Sequence, residues 1–137
     1  MIVIDASAIT ELLLQTDLGI RVERRMYKED EDLHAPHLLD VEVLSALRRL
    51  VHTGEVLADR AEEAIDDLAL LRIIRHGHLD FAPRVWELRQ NVTAYDAMYL
   101  ALAESLHARV LTCDRPLGRV TGHSARIEVI GRRSTKS

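Results

Sequence analysis

Asn-Val-Thr-Ala-Tyr-Asp-Ala-Met-Tyr-Leu-Ala-Leu-Ala-Glu-Ser-Leu-His-Ala-Arg-Val-Leu-Thr-Cys-Asp runs from position 91 to position 114. Its first half predicts a helix entered at Thr93 and apolar on nearly every side from Ala97 to Leu106, the pattern of a helix sunk in a core rather than laid on one. Its second half, Val110 to Cys113, is an apolar run of strand length. Two carboxylates stand at the special points, Asp96 in the first turn of the helix and Asp114 where the strand ends. Helix then strand is half of an α/β unit, and in open α/β sheets ligands bind outside the carboxyl ends of the strands.

Outward from this block, Ile2-Val3-Ile4 is a β-branched run that predicts a buried strand ending at Asp5, followed by a leucine-rich helix capped by Ser7. Leu12, Leu13 and Leu14 are consecutive, so on a helix they fan through about 200° and predict surface left over for a partner. Ile20 to Tyr27 reads as a second amphipathic helix, closing in an acidic, solvated turn from Lys28 to Asp32. Leu33 to Ala35 reads as a short strand stopped by Pro36, and Leu39, Val43, Leu47 and Leu50 mark the core face of a helix stopped at Gly54. Glu42 lies at the edge of that stripe, near the helix's beginning. A helix from Val56 to Leu71, a weak strand from Arg72 to Arg75, a helix from Phe81 to Gln90 with Phe81, Val85 and Leu88 inward, and a last strand from Ile127 to Ile130 complete the chain. Strands alternating with helices, without an internal repeat, predict an α/β fold with a five-stranded, mostly parallel sheet covered on both faces. The first and fourth strands should be neighbours where the winding reverses. Residues 132–137, with Arg132, Arg133 and Lys136, form a short basic tail expected to be disordered, which leaves 1–131 as the expected domain.

A chain of 137 residues, 47% hydrophobic, is long enough to bury one real core and too short for two. No apolar run approaches the roughly 18 residues of a membrane span, and the opening Met-Ile-Val-Ile-Asp has neither basic region nor cleavage site to mark it for export. The single cysteine, Cys113, cannot form an internal disulfide, so a cytoplasmic protein is expected; it alternates away from Asp114 and is expected to pack. A net charge of −4 from 18 basic and 22 acidic residues excludes a strongly basic nucleic-acid binder, but not one whose acids are gathered in a metal site. The histidines show no ligand spacing, so His34, His37, His76 and His78 are expected at the surface or in loops, and Trp86 in the core or in a dimer contact. Arg48, Arg49, Arg72 and Arg75 are the candidates for steering a phosphate.

In this topology Asp5 and Asp114 end adjacent strands, and Asp96 and Glu42 lie in first turns of helices near the same edge. Four carboxylates converging on one pocket repel and raise one another's pKa, unless a divalent cation joins them. All-oxygen ligands suit Mg²⁺ or Mn²⁺ rather than zinc, and such an ion can hold a phosphate oxygen and acidify a water for attack on a phosphodiester. Each acid also has a plain structural reading. Asp96, three residues after Thr93, can complete a capping box; Glu42 can favour its helix dipole or meet an arginine; Asp114 before Arg115-Pro116 is an ordinary turn former. Asp5 has the least structural reason to close a buried strand. Ser7 doubles as cap and site residue, and Thr112, on the same strand face as Asp114, either packs or offers its hydroxyl to the acids.

These residues resemble PIN-domain ribonucleases and, more narrowly, toxins of bacterial VapBC toxin-antitoxin pairs. The resemblance rests on Ile-Val-Ile-Asp5-Ala-Ser7, on Ala-Pro followed by Glu42, on Thr-Ala-Tyr-Asp96-Ala-Met-Tyr-Leu-Ala-Leu-Ala, and on Leu-Thr112-Cys-Asp114, in that order over essentially the whole length. It implies that Asp5, Glu42, Asp96 and Asp114 are the catalytic, metal-binding quartet, with Ser7 and Thr112 as supporting hydroxyls, and that Mg²⁺ or Mn²⁺ is the cofactor. It also implies RNA as substrate, a homodimer, and a cognate antitoxin that inhibits the toxin and builds a higher assembly with it, for which Leu12 to Leu14 offer a groove. Three other readings place acids similarly: a catalytically silent PIN-like protein-binding scaffold, a metal-dependent phosphatase and a phosphoacceptor receiver domain. The last two use a lysine near the site, and neither Lys28 nor Lys136, the only lysines, ends a strand. A Gly-rich loop with Lys-Ser/Thr, as in nucleotide switches, is absent.

Overall fold

A computed structural model describes residues 1–131, so the expectation of a disordered tail at 132–137 lies outside the described residues. The elements follow as β1 (Ile2–Ile4), α1 (Ala6–Leu14), α2 (Asp17–Lys28), β2 (Leu33–Pro36), α3 (Leu38–His52), α4 (Ala58–Leu70), β3 (Ile73–His76), a 3₁₀ turn (Leu79–Phe81), α5 (Ala82–Glu87), α6 (Ala94–Leu106), β4 (Arg109–Thr112), a second 3₁₀ turn (Arg115–Arg119) and β5 (Arg126–Val129). The five strands form one sheet in the order β3-β2-β1-β4-β5, and every pairing is parallel. The order reverses between β1 and β4, where Ile4 pairs with Leu111. Asp5 and the end of β4 therefore emerge side by side at the switch point, where the crevice of an open α/β sheet lies.

The core explains why these strands sit centrally. Ile2, Val3 and Ile4 are fully buried, as are Val110 and, to within 1%, Leu111; a parallel strand covered on both faces is apolar along its whole length rather than alternating. Helix α6 is buried from Ala97 to Ala103, consistent with a sequence apolar on every side. Its carboxyl end closes on His107 in the left-handed region, φ 53°, a conformation more often taken by glycine or asparagine.

Several expectations are corrected. The cap of α1 is Asp5, whose carboxylate accepts the Ala8 N–H at 3.0 Å, not Ser7, which is inside the helix and free to turn its hydroxyl toward the site. The leucines at 12 to 14 leave little free surface: Leu12 and Leu13 are buried and only Leu14 is half-buried, because α2 folds back against α1. That return is backbone to backbone at Gly19, where any Cβ would stand 1.9 Å from the Glu11 carbonyl oxygen. His34 is not a surface residue but buried, its Nδ1 at 2.8 Å from Nε2 of His76 on the neighbouring strand. The helix expected over Phe81 to Gln90 is a 3₁₀ turn and the six-residue α5, with Leu88 buried just past its end. Trp86 is 68% exposed and so not core, and the Arg89 guanidinium lies 4.7 Å from its ring centroid. Among the described residues no helix is long and apolar enough to cross a membrane.

Candidate active site

Asp5 leaves β1 with an extended backbone, φ −94° and ψ 172°, which aims its side chain across the end of β4. Three protein donors meet it there. Ser7 Oγ donates to Oδ1 at 2.7 Å, the Ala8 N–H to the same oxygen at 3.0 Å, and Thr112 Oγ1 to Oδ2 at 2.5 Å. The two hydroxyls are oriented by backbone N–H groups at the end of β4, Cys113 donating to Ser7 Oγ and Asp114 to Thr112 Oγ1, both at 2.9 Å. Each hydroxyl thus spends its own proton on Asp5. The pattern suits an acceptor-only group, the ionised carboxylate. Thr112 has no exposed surface and Asp5 only 6%, and burial pushes the Asp5 carboxyl up to about 6 although all three hydrogen bonds oppose it, with Asp114 adding to the rise.

The remaining acids reach the same cleft, of ≈ 910 Å³, from other elements: Glu42 from α3, Asp96 from α6 and Asp114 from the turn after β4. All three are half-buried. Burial raises the Glu42 and Asp96 carboxyls; Asp96 adds to the rise of Glu42, and Asp114 to that of Asp96. The four acids are therefore linked electrostatically, Glu42 to Asp96 to Asp114 to Asp5, and among the described residues no arginine offsets any of these shifts. The competing structural readings weaken on the same geometry. Thr93 caps α6 by accepting the Asp96 N–H at 3.3 Å, but the Asp96 carboxylate makes no hydrogen bond among the described residues, so no capping box closes. Among the described residues Glu42 meets no arginine.

Its partner is Tyr99, whose hydroxyl donates to Glu42 Oε1 at 2.7 Å. Tyr99 is 1% exposed, and burial followed by the Glu42 bond holds its phenol far above its usual range, so it remains a donor. Sequence reading missed this residue, although its spacing of three from Asp96 puts both on one helix face. Glu11 was missed as well: it lines the cleft from α1, four residues after Ser7. Cys113, expected to point away, also lines the cleft; burial pushes its thiol up to about 12, so it stays a thiol.

Among the described residues, no group of three or more His, Cys, Asp or Glu side chains stands close enough to ligate one ion unaided. A small hard cation does not need that many. Mg²⁺ keeps several of its waters and is held through one or two carboxylates. Asp5 meets that requirement, because Oδ1 accepts two hydrogen bonds and Oδ2 one, leaving a lone pair of Oδ2 open. The donor set is all oxygen and anionic, which fits Mg²⁺ or Mn²⁺ and not zinc.

Comparison with known proteins agrees with the fold. The family model described as PIN domain matches residues 2–122. The Mycobacterium tuberculosis protein named ribonuclease VapC12 is 38% identical over 130 residues, covering 95% of this chain and 99% of that one. Ribonuclease VapC1 of the same organism is 39% identical over 132 residues, covering 93% and 96%. Among solved structures, PAE2754 from Pyrobaculum aerophilum is similar with a TM-score of 0.66 and 29% identity over 93% of this chain and 83% of that one. The sarcin-ricin-loop-cleaving toxin VapC20 of Mycobacterium tuberculosis also gives 0.66, over 86% of this chain and 93% of its own, and at 13% identity it speaks for the fold alone. A parallel sheet in this order, four acids gathered at its switch point and relatives matched almost end to end place the chain in the PIN-domain family, among its VapC members.

Proposed function

We propose that this protein is a divalent-metal-dependent endoribonuclease of the toxin type, with Asp5, Glu42, Asp96 and Asp114 as its acidic quartet, and that a cognate antitoxin neutralises it. The observation that carries the reading is Asp5, a buried carboxylate fixed by two hydroxyls in a cleft that three further acids line. Such crowding of like charge costs stability and has no structural use. Relatives named ribonucleases support RNA as the substrate. Homodimerisation and a cytoplasmic location belong to the same reading, with Val41 and Leu44 of α3 and Trp86 of α5 among the exposed apolar side chains available to a second copy.

Mg²⁺ or Mn²⁺, when bound, supplies a Lewis acid for the phosphate and an acidified water for attack on phosphorus. The protein's part is preorganisation. Ser7 and Thr112 hold Asp5 ionised and in one rotamer; Tyr99 holds Glu42; Asp96 and Asp114, with no hydroxyl fixing their carboxylates among the described residues, complete the negative rim. In the hydrolysis one water adds to phosphorus and the ester oxygen leaves with a proton, so the ribose 2′-hydroxyl takes no part. Sequencing and chemically typing the ends of RNAs cut by the purified protein tests this. Cut ends free of 2′,3′-cyclic phosphate, produced with Mg²⁺ or Mn²⁺ and lost with chelator, are expected; cyclic ends, or cutting that survives chelator, would overturn it.

Tyr99→Phe is expected to fold normally, since the ring fills the same space, and to lower kcat by roughly tenfold, the worth of one hydrogen bond to a charged group. Single-turnover cleavage at saturating RNA measures it. An unchanged kcat would mean that Glu42 is positioned without the phenol.

A further inference from the structure

The cleft's acidic floor repels the very backbone a ribonuclease must bind, so some cation has to receive the strand. Of the four arginines that sequence alone offers for this, the structure separates one. Arg75 is spent: its guanidinium makes two hydrogen bonds to Asp40, at 2.7 and 2.8 Å. Arg72 lines a different groove, at the beginnings of β2 and β3. Arg48 is exposed and does not line the cleft. Arg49 does line it, is exposed, and has no ion-pair partner among the described residues. Arg115, the other arginine on the cleft among the described residues, packs its guanidinium against Gly131 and has contacts of its own.

Glu42, Ala46, Arg49 and Leu50 all line the cleft, and their spacing puts them on one face of α3. Arg49 lies seven residues beyond Glu42, about 10 Å along the helix axis. Its backbone is thus set well along α3 from Glu42, and among the described residues no arginine is among the causes of the acids' shifts. A guanidinium is suited to gripping two oxygens of a phosphate at once.

We propose that Arg49 is a substrate-positioning residue that grips an RNA phosphate flanking the scissile one, so that α3 lays the strand across the cleft with the cut site over the acids. This rests on the ribonuclease reading above.

The test is binding of a single-stranded RNA oligonucleotide to the full chain with chelator present, followed by fluorescence anisotropy over a range of salt. Arg49→Ala is expected to weaken binding about tenfold and to lower the slope of log K against log salt by about 0.7, the contribution of one phosphate on a single strand. Arg49→Lys should keep the slope, having kept the charge, at intermediate affinity; Arg48→Ala should match wild type; melting temperatures should not move. With metal added, Arg49→Ala should raise KM about tenfold and leave kcat within about twofold. Wild-type affinity and slope in Arg49→Ala, or an equal loss in Arg48→Ala, would overturn the proposal. Should wild type bind with the Arg49-dependent slope yet cut nothing with metal, the ribonuclease reading fails and the phosphate contact stands; should it cut while Arg49→Ala behaves as wild type, only the contact fails.

Discussion

Asp5→Asn is expected to abolish RNA cleavage and, at pH 7, to melt at a higher temperature than the wild-type protein. The two effects have one cause. Burial raises the Asp5 carboxyl from 3.8 to about 6, which corresponds to about 3 kcal/mol of destabilisation once the group is ionised. Asparagine keeps an oxygen to accept from Ser7 and Ala8 and brings no charge, so part of that destabilisation is relieved. Its amide, set against Thr112 Oγ1 in place of Oδ2, costs some of the gain, and a net rise of about 1–2 kcal/mol is expected. The pH dependence follows from the direction of the shift. Folded Asp5 holds its proton to a higher pH than the unfolded chain does, so wild type loses stability as pH rises from about 4 to about 6 and the loss is complete above that. The melting-temperature gap between variant and wild type should therefore open over that window and then level off. Cleavage, in contrast, should fall by on the order of 10³-fold or more, since the group proposed to offer the cation its best-fixed oxygen is gone. Calorimetry across pH, with single-turnover cleavage at pH 7, reads both. A variant that cuts at the wild-type rate, or that is less stable than wild type at pH 7, contradicts this account of Asp5.

Mn²⁺ should raise the melting temperature of the wild-type protein, and by more at pH 8 than at pH 5. A cation that binds the assembled cleft and not the unfolded chain stabilises by mass action, about 2.7 kcal/mol at a hundredfold excess over its Kd. It also offsets the repulsion that adds to burial in raising Glu42, Asp96 and Asp5. Ligation needs these carboxyls ionised, and all three shifts are upward, so protons compete with the ion most strongly on the acid side. Removing Asp5 and Asp96 together should erase the effect. A shift that is absent at millimolar Mn²⁺, or equal at both pH values, speaks against a carboxylate-built site.

Much of this molecule was legible before any coordinates. Buried parallel strands are unbroken apolar runs, so Ile2-Val3-Ile4 and Val110-Leu111 announced themselves, and an acid at the end of such a run is conspicuous. What stayed hidden depends on residues far apart in sequence. Nothing near Tyr99 tells that its hydroxyl meets a carboxylate 57 positions earlier, nor that His34 on β2 and His76 on β3, 42 apart, meet on the diagonal, where the register pairs His34 with Ile74 and Pro36 with His76. Local rules also compete: Asp5 and Ser7 are both good caps, and the extended backbone of Asp5 decided between them. The leucines at 12 to 14 promised an empty surface because periodicity describes one helix alone and not the neighbour that Gly19 lets in.

The claim on which the rest depends is that the four acids hold one kind of cation and that this ion cuts RNA. Anomalous diffraction from crystals grown with Mn²⁺ tests it most directly. A manganese peak is expected in the cleft within direct or one-water reach of Asp5, with Glu42, Asp96 and Asp114 completing its surroundings. A cleft without manganese at millimolar concentration, or manganese bound elsewhere with the four carboxylates untouched, would contradict it.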